Sequence, residues 1–196
     1  MVEQPLLRDA PRPVALASVV LLGGPSGSGK STLAASLPGP VIRLDDFYRD
    51  GDDPALPRDA AGAVDWESPL SWNRARALAA VVELATTGSV TVPRYEFAAN
   101  AAVSTYSVSL DGATSFVAEG LFADQLVAGC REAGVLADAL VLSPSATRTA
   151  VRRFARDVSE ARKSVPTLVR RGLRLWREHA QVVRRCESAG MRRHRR

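Results

Sequence analysis

Of 196 residues, only two are cysteine (Cys130, Cys186), two histidine (His179, His194) and two lysine (Lys30, Lys163), and aromatics make up 6%. Two cysteines are too few for a disulfide framework. With only two histidines to join them they make no zinc site, so a reducing cytoplasm is the expected compartment. Long hydrophobic runs are missing as well. The longest apolar stretch, Val14 to Leu22, is about half of what a membrane-spanning helix requires. It also lacks the basic start and small-residue cleavage site of a signal peptide. The few aromatics do not interleave with basic residues, as the stacking platforms of single-strand binders do. Lysine is nearly absent but arginine is not. From Thr147 onward there are 16 basic and 4 acidic side chains, and the earlier part of the chain is net acidic beneath an overall charge of +5. Such a basic end invites a nucleic-acid reading, but arginines that hold phosphates or line solvated helix faces explain it as well.

What is present is one domain's worth of chain, 46% hydrophobic, and one strong motif. Gly24-Pro25-Ser26-Gly27-Ser28-Gly29-Lys30-Ser31 reads G-x-x-x-x-G-K-S. The apolar run Val19 to Gly23 before it suits a buried parallel strand. Thr32 to Leu37 after it suits a helix that Pro38-Gly39-Pro40 stops. Strand, glycine-rich loop and helix in that order are the context of a phosphate-binding P-loop. Its backbone N–H groups from Gly24 to Thr32, Pro25 excepted, and the positive helix end converge on a polyphosphate. Lys30 would reach the β- and γ-phosphates and the Ser31 hydroxyl would ligate Mg²⁺. With only one other lysine in the chain, a chance lysine at this position is hard to credit.

Further along, Val41 to Leu44 is expected as a short strand delivering Asp45-Asp46-Phe47-Tyr48 at its C-terminal end. Arg49 to Val64, rich in Asp, Pro, Gly and Ala, reads as a long surface loop. Asn73 to Leu84 has helical spacing, with Gly88 near its C-cap. Ser89 to Val92 and Tyr106 to Leu110 are β-rich, and Asp111-Gly112 is a turn. Thr114 to Ala118 is a strand ending at Glu119-Gly120, Asp124 to Ala133 a helix, and Ala139 to Leu142 a further strand. An Arg-rich helix is expected from about Thr147, and a last one over roughly Leu168 to Ser188. Its stripe Val169, Leu173, Leu175, Trp176 and Val183 would face the core, and Arg184 and Arg185 would lie on the solvated side. Strands alternating with helices give an α/β, three-layer fold with a mainly parallel sheet, plus a small β-rich insertion. Residues 1–13 read as a flexible arm, 14–190 as the domain, and 191–196 as a disordered basic tail.

In such sheets ligands lie beyond the carboxyl ends of the strands, where the P-loop, Asp45 and Glu119 all fall. Phosphoryl transfer needs a phosphate cradle, a metal, a positioned nucleophile and cations around the transferring group. Asp45 and Asp46 are candidates for the base that orients an acceptor hydroxyl. Glu119, after three apolar residues, is a candidate Mg²⁺ ligand, direct or through water. Each could instead be a solvated turn carboxylate or a helix N-cap.

Leu44-Asp45-Asp46-Phe47-Tyr48, Asp65-Trp66-Glu67-Ser68-Pro69, Pro93-Arg94-Tyr95-Glu96-Phe97, Glu119-Gly120-Leu121 and Arg152-Arg153-Phe154-Ala155-Arg156-Asp157 follow the P-loop in this order. Together, from about Val19 to Lys163, they resemble the uridine kinases, P-loop nucleoside kinases related to phosphoribulokinase and bacterial pantothenate kinase. The resemblance implies that Asp45 takes the proton of a nucleoside 5′-hydroxyl and that Glu67 bonds the ribose hydroxyls. It also implies that Tyr95 lies against the base, and that Arg152, Arg153 and Arg156 sit on a lid helix, within about 147–165, and clamp the phosphates. Bidentate guanidinium chemistry suits that clamp. Tyr48 and Asn100 complete the implied substrate set. Where the family usually has Asp-His-Pro this chain has Glu67-Ser68-Pro69, and where it has Tyr-Asp-Phe this chain has Tyr95-Glu96-Phe97. Asn100 stands where the family has a pyrimidine-contacting histidine, and its amide offers both a donor and an acceptor.

The expectation is thus an ATP- and Mg²⁺-dependent kinase acting on a small-molecule hydroxyl, with a uridine-like nucleoside favoured. A sugar phosphate or pantothenate-like alcohol is the near rival, and a nucleic-acid-associated P-loop ATPase or switch the distant one. No membrane partner is expected, nucleic-acid contact is disfavoured, and a homo-oligomer stays open.

Overall fold

The computed structural model describes residues 14–143 and 180–194. The expected N-terminal arm, the expected lid helix with Arg152, Arg153 and Arg156, and most of the expected last helix fall outside the described residues. Five strands form one parallel sheet. β1 (Ser18–Gly23) is central, with β5 (Ser115–Glu119) on one side and β6 (Leu136–Leu142) on the other. β2 (Val41–Arg43) flanks β5, and β7 (Arg192–His194) flanks β6.

Side chains alternate across a strand, and both faces of this sheet are covered. Leu21, Phe116, Ala118 and Val141 point into the larger core, while their neighbours Leu22, Val117 and Leu142 join Ala34 in a smaller one on the opposite face. The larger core is sealed by α2 (Arg74–Thr87), which buries Ala77, Ala80, Val81, Leu84 and Ala85, the spacing of one helical face. Asn73 caps α2 by accepting from the Arg76 N–H, and Gly88, at φ 87°, ends it with its N–H on Leu84 O. The layered parallel architecture expected from the alternating pattern is therefore present. Among the described residues no helix is long and apolar enough to cross a membrane.

The elements differ from the sequence expectation in four places. α1 is one short turn, Lys30–Ala34, rather than a helix to Leu37. The chain then turns at Gly39, at φ 88°, where glycine is required because a Cβ would sit 2.1 Å from Ser115 O. The helix expected over 124–133 opens as a 3₁₀ turn, Ala123–Leu126, and becomes α3 only over Val127–Glu132. The β-rich insertion is present as expected but its strands are longer, forming a separate antiparallel ribbon of β3 (Ser89–Glu96) with β4 (Ala101–Ser109) and a register shift at Arg94/Tyr95. Finally, the expected disordered tail is ordered over Arg192–His194. After the helical residues 180–188, Gly190 reverses the chain at φ 90° and β7 pairs with Leu140–Leu142. Arg192 bonds Asp138 and Arg193 bonds Glu187, so two tail arginines are satisfied within the chain.

Candidate active site

β1, β2 and β5 all end at the same edge of the sheet, and their ends carry the candidate site residues. After β1 the loop passes through Gly24, Gly27 and Gly29 at φ 135°, 75° and 93°, values open to glycine and costly for other residues. Gly24 is also required by space, since a Cβ there would come within 2.6 Å of Leu142 O. The Lys30 ammonium is buried and donates to Gly24 O (2.9 Å) and Pro25 O (3.2 Å). The Ser28 hydroxyl is buried without a hydrogen-bond partner among the described residues. A buried hydroxyl is rarely left so, and it adds a donor to a loop already shaped for phosphate oxygens.

Glu119, at the end of β5, is buried and accepts from the Ser31 hydroxyl at 2.9 Å. Burial raises its pKa above the ordinary value. The Lys30 ammonium partly offsets that rise, and the Asp45 carboxylate adds to it. Ser31 and Glu119 are a hard-oxygen pair suited to Mg²⁺, which keeps several water and phosphate ligands of its own. No group of three or more His, Cys, Asp or Glu side chains that could hold a metal occurs among the described residues. The set therefore fits a metal shared with a polyphosphate rather than a protein-only cage.

The two aspartates after β2 have different surroundings. Both lie on a 3₁₀ turn, Leu44–Phe47, fixed from below by Trp72, whose indole N–H donates to Leu44 O at 2.7 Å. Asp46 is only 2% exposed. Its Oδ1 accepts from the Tyr95 N–H (3.1 Å) and its Oδ2 from the Tyr106 hydroxyl (2.9 Å), while Arg43 Nε lies 3.9 Å away. Asp46 thus anchors the β3–β4 ribbon to the sheet. Burial, then the Asp46 charge, push the Tyr106 hydroxyl pKa up. Asp45 is half-buried and turns toward β5, where its Oδ1 accepts from the Leu121 N–H at 3.3 Å. Gly120 permits this approach. A Cβ there would be 2.7 Å from Leu44 Cβ and 3.1 Å from Asp45 Oδ1.

Beyond Asp45 lies an aromatic cluster. The Tyr48 ring is 6.0 Å from Trp66, 5.8 Å from Tyr95, 5.5 Å from Phe97 and 6.0 Å from Phe122, centroid to centroid. The Tyr48 hydroxyl pKa is driven up by burial first, then by the carboxylates of Asp45 and Glu67, so it stays a neutral donor. The structure therefore brings Asp45, Tyr48 and Glu67 to one place. Tyr95 is 5% exposed, and its hydroxyl donates to Arg49 O at 3.2 Å. Burial pushes that phenol up to about 12. The aromatic that opens to solvent is its neighbour Phe97, 51% exposed and 5.3 Å from the Tyr95 ring. Asn100 is exposed at the ribbon turn, at φ 49°, and its carbonyl accepts from Gly51 N–H at 2.7 Å. Phe97 and Trp66 were legible as members of the quoted motifs, but nothing in the sequence separated a buried Tyr95 from an open Phe97.

One expectation for the last helix is overturned. Arg184 is exposed as predicted, but Arg185 reaches inward to Asp124 and to the Leu121 carbonyl. Cys130 and Cys186 are free buried thiols, their pKa values pushed up to about 12 by burial.

No family model matches the chain, and no curated protein matches it. Solved structures do. A candidate fructose transport system kinase from Silicibacter sp. TM1040 superposes with a TM-score of 0.63 at 18% identity, covering 95% of this chain and 93% of that one. A possible uridine kinase from Bacillus stearothermophilus gives 0.53 at 18% identity over 92% and 90%. The protein YGR205w gives 0.55 at 13% identity over 85% and 78%. The chain has the P-loop kinase fold. Within that fold the glycine loop, the Ser31–Glu119 pair and Asp45 occupy three adjacent strand ends.

Proposed function

We propose that this protein transfers the γ-phosphoryl group of ATP, with Mg²⁺, to the hydroxyl of a small molecule, a uridine-like nucleoside being the favoured acceptor. One observation carries this reading. A half-buried carboxylate, Asp45, and a metal-suited pair, Ser31 with Glu119, lie at the ends of adjacent parallel strands and are tied together through the Gly120–Leu121 backbone. Bound Mg²⁺ would offset charge on the phosphates, held by Ser31 directly and by Glu119 directly or through water. The loop N–H groups of residues 24–32, Pro25 excepted, and the Lys30 ammonium would hold and orient the triphosphate. Asp45 would accept the proton of the attacking hydroxyl. Glu67 and the Tyr48 hydroxyl would bond the polar groups of the acceptor, with Tyr95 supporting Phe97 and Trp66 against its flatter part and Asn100 at the ribbon turn beyond. Arg152, Arg153 and Arg156 are assigned to the phosphate clamp on the resemblance alone.

The kinase named for fructose transport among the structural neighbours favours a second reading, the same chemistry on a sugar-like alcohol. The nucleic-acid switch is weakened because Arg185, Arg192 and Arg193 are each engaged by carboxylates of this chain. Incubation with γ-labelled ATP and a panel of nucleosides, sugars and pantothenate-like alcohols tests the proposal. Transfer to uridine or cytidine supports the first reading, and transfer only to a sugar supports the second. ATP hydrolysis that rises with added DNA or RNA and falls steeply with salt would sink both.

A further inference from the structure

Arg185 lies 61 residues from its partner Asp124 in sequence. The Asp124 carboxylate is 1% exposed, and a charge so placed needs a cation. Arg185 Nε donates to Asp124 Oδ2 at 2.8 Å, and Nη2 donates to Asp124 Oδ1 at 3.1 Å, a bidentate pair. Nη2 also donates to Leu121 O at 2.9 Å, and the guanidinium lies 5.2 Å above the Phe122 ring. The other side of the same residue matters for the site. Leu121 N–H is the one hydrogen bond donor to the Asp45 carboxylate among the described residues. The 121 residue is therefore gripped at its carbonyl by Arg185 while its N–H holds Asp45.

We propose that Arg185 is a positioning residue for phosphoryl transfer, orienting the Gly120–Leu121 segment so that the Leu121 N–H fixes the Asp45 carboxylate against the acceptor hydroxyl. The proposal rests on Asp45 as the acceptor-side base. The same C-terminal segment also reaches the other half of the site. At Gly23, where β1 enters the P-loop, a Cβ would lie 3.0 Å from Met191 Cε and 3.3 Å from Cys186 Sγ. Residues 185–191 thus brace both the phosphate side and the acceptor side of the cleft. Geometry of this kind matters because a misplacement of about 1 Å can cost on the order of 100-fold in rate.

Arg185→Lys is the variant of choice. It keeps a cation on buried Asp124 but cannot hold Asp124 and Leu121 O together, because lysine lacks the planar fork. Two readouts are taken, the backbone amide of Leu121 by ¹H–¹⁵N NMR and hydrogen exchange, and steady-state kinetics with MgATP and uridine. The expected result is faster Leu121 exchange and a shift of that resonance toward its position in Asp45→Ala, with no further change when the two substitutions are combined. In the kinetics, kcat falls about 10-fold or more while KM for ATP stays within about twofold. If Arg185→Lys does not fold, the double variant Arg185→Met/Asp124→Leu removes both charges and is measured in its place. A Leu121 amide that keeps wild-type exchange and shift in these variants, moving only in Asp45→Ala, overturns the proposal. A protein that transfers phosphate to none of the acceptors tests the kinase reading separately, since the amide measurement needs no turnover.

Discussion

The proposed phosphate side and the proposed acceptor side of the cleft are built by different means. The phosphate side is local. A central strand, three glycines with positive φ and one turn of helix lie within seventeen consecutive residues, Ser18 to Ala34. Among the described residues, Glu119 joins it from β5 through strand pairing, and Cys186 and Met191 pack against its start at Gly23. The acceptor side is assembled from far apart: a 3₁₀ turn after β2, the loop holding Trp66 and Glu67, the end of the β3–β4 ribbon, and Arg185 near the C-terminus. Backbone shape secures the first and side-chain hydrogen bonds secure the second. Phosphates are much alike in every nucleotide, so a rigid local cradle serves. Acceptors differ, and a site held by separable side chains can change one wall at a time.

The sharpest way to break this comparison is Lys30→Ala. If the phosphate side is a single preorganised unit, ATP turnover falls by about 10²–10³-fold or more, measured as kcat/KM for ATP. The paired substitutions Asp45→Asn and Asp46→Ala come next. Asp45→Asn should abolish transfer while leaving ATP affinity and melting temperature near wild type, the signature of a group used in the transition state. Asp46→Ala should instead destabilise the fold by about 1–3 kcal/mol, because the buried Tyr95 N–H and Tyr106 hydroxyl lose their acceptor. If Asp45→Asn keeps full activity and Asp46→Asn kills it, the assignment of the base is wrong.

Glu119 offers a pH test. Its pKa is raised in the folded protein, so the folded state binds that proton more tightly than the unfolded chain. Its contribution to stability is therefore most favourable at low pH and declines as pH rises from the ordinary 4.5 through the raised folded value. Glu119→Gln should flatten that decline in melting temperature without ligand, and should also weaken the dependence of turnover on Mg²⁺. A smaller effect is expected from Phe97→Ala, which should raise KM for the acceptor and leave KM for ATP unchanged. Smallest of all, Arg192→Ala, whose partner lies at an exposed sheet edge, should leave both turnover and melting temperature near wild type, as exposed ion pairs contribute little.

How far each side could be read in advance follows from the same contrast. The glycine spacing, the apolar β1 run and the Gly88 end of α2 are local signals, so the glycine loop, the central strand and that helix were legible to within about three residues. The parallel sheet followed from the alternation of strands and helices. The residues alone left Asp45 and Asp46 as equal candidates, and the resemblance chose Asp45; their surroundings differ because Tyr95 and Tyr106 reach Asp46 from a ribbon 49 and 60 residues later. Arg185 read as a solvated helix residue because its partner, Asp124, is equally remote. The tail read as disorder because five basic residues in six suggest solvent, whereas Asp138 and Glu187 supply the carboxylates that order Arg192 and Arg193.

The most direct test of the account follows the label of γ-labelled ATP in the wild-type chain and in Asp45→Asn, with Mg²⁺ and a panel of small alcohols including uridine and cytidine. Label is expected on an acceptor hydroxyl in the wild type, with loss of transfer in Asp45→Asn and ATP binding retained. Label appearing only as inorganic phosphate, equally in both proteins, would contradict that expectation.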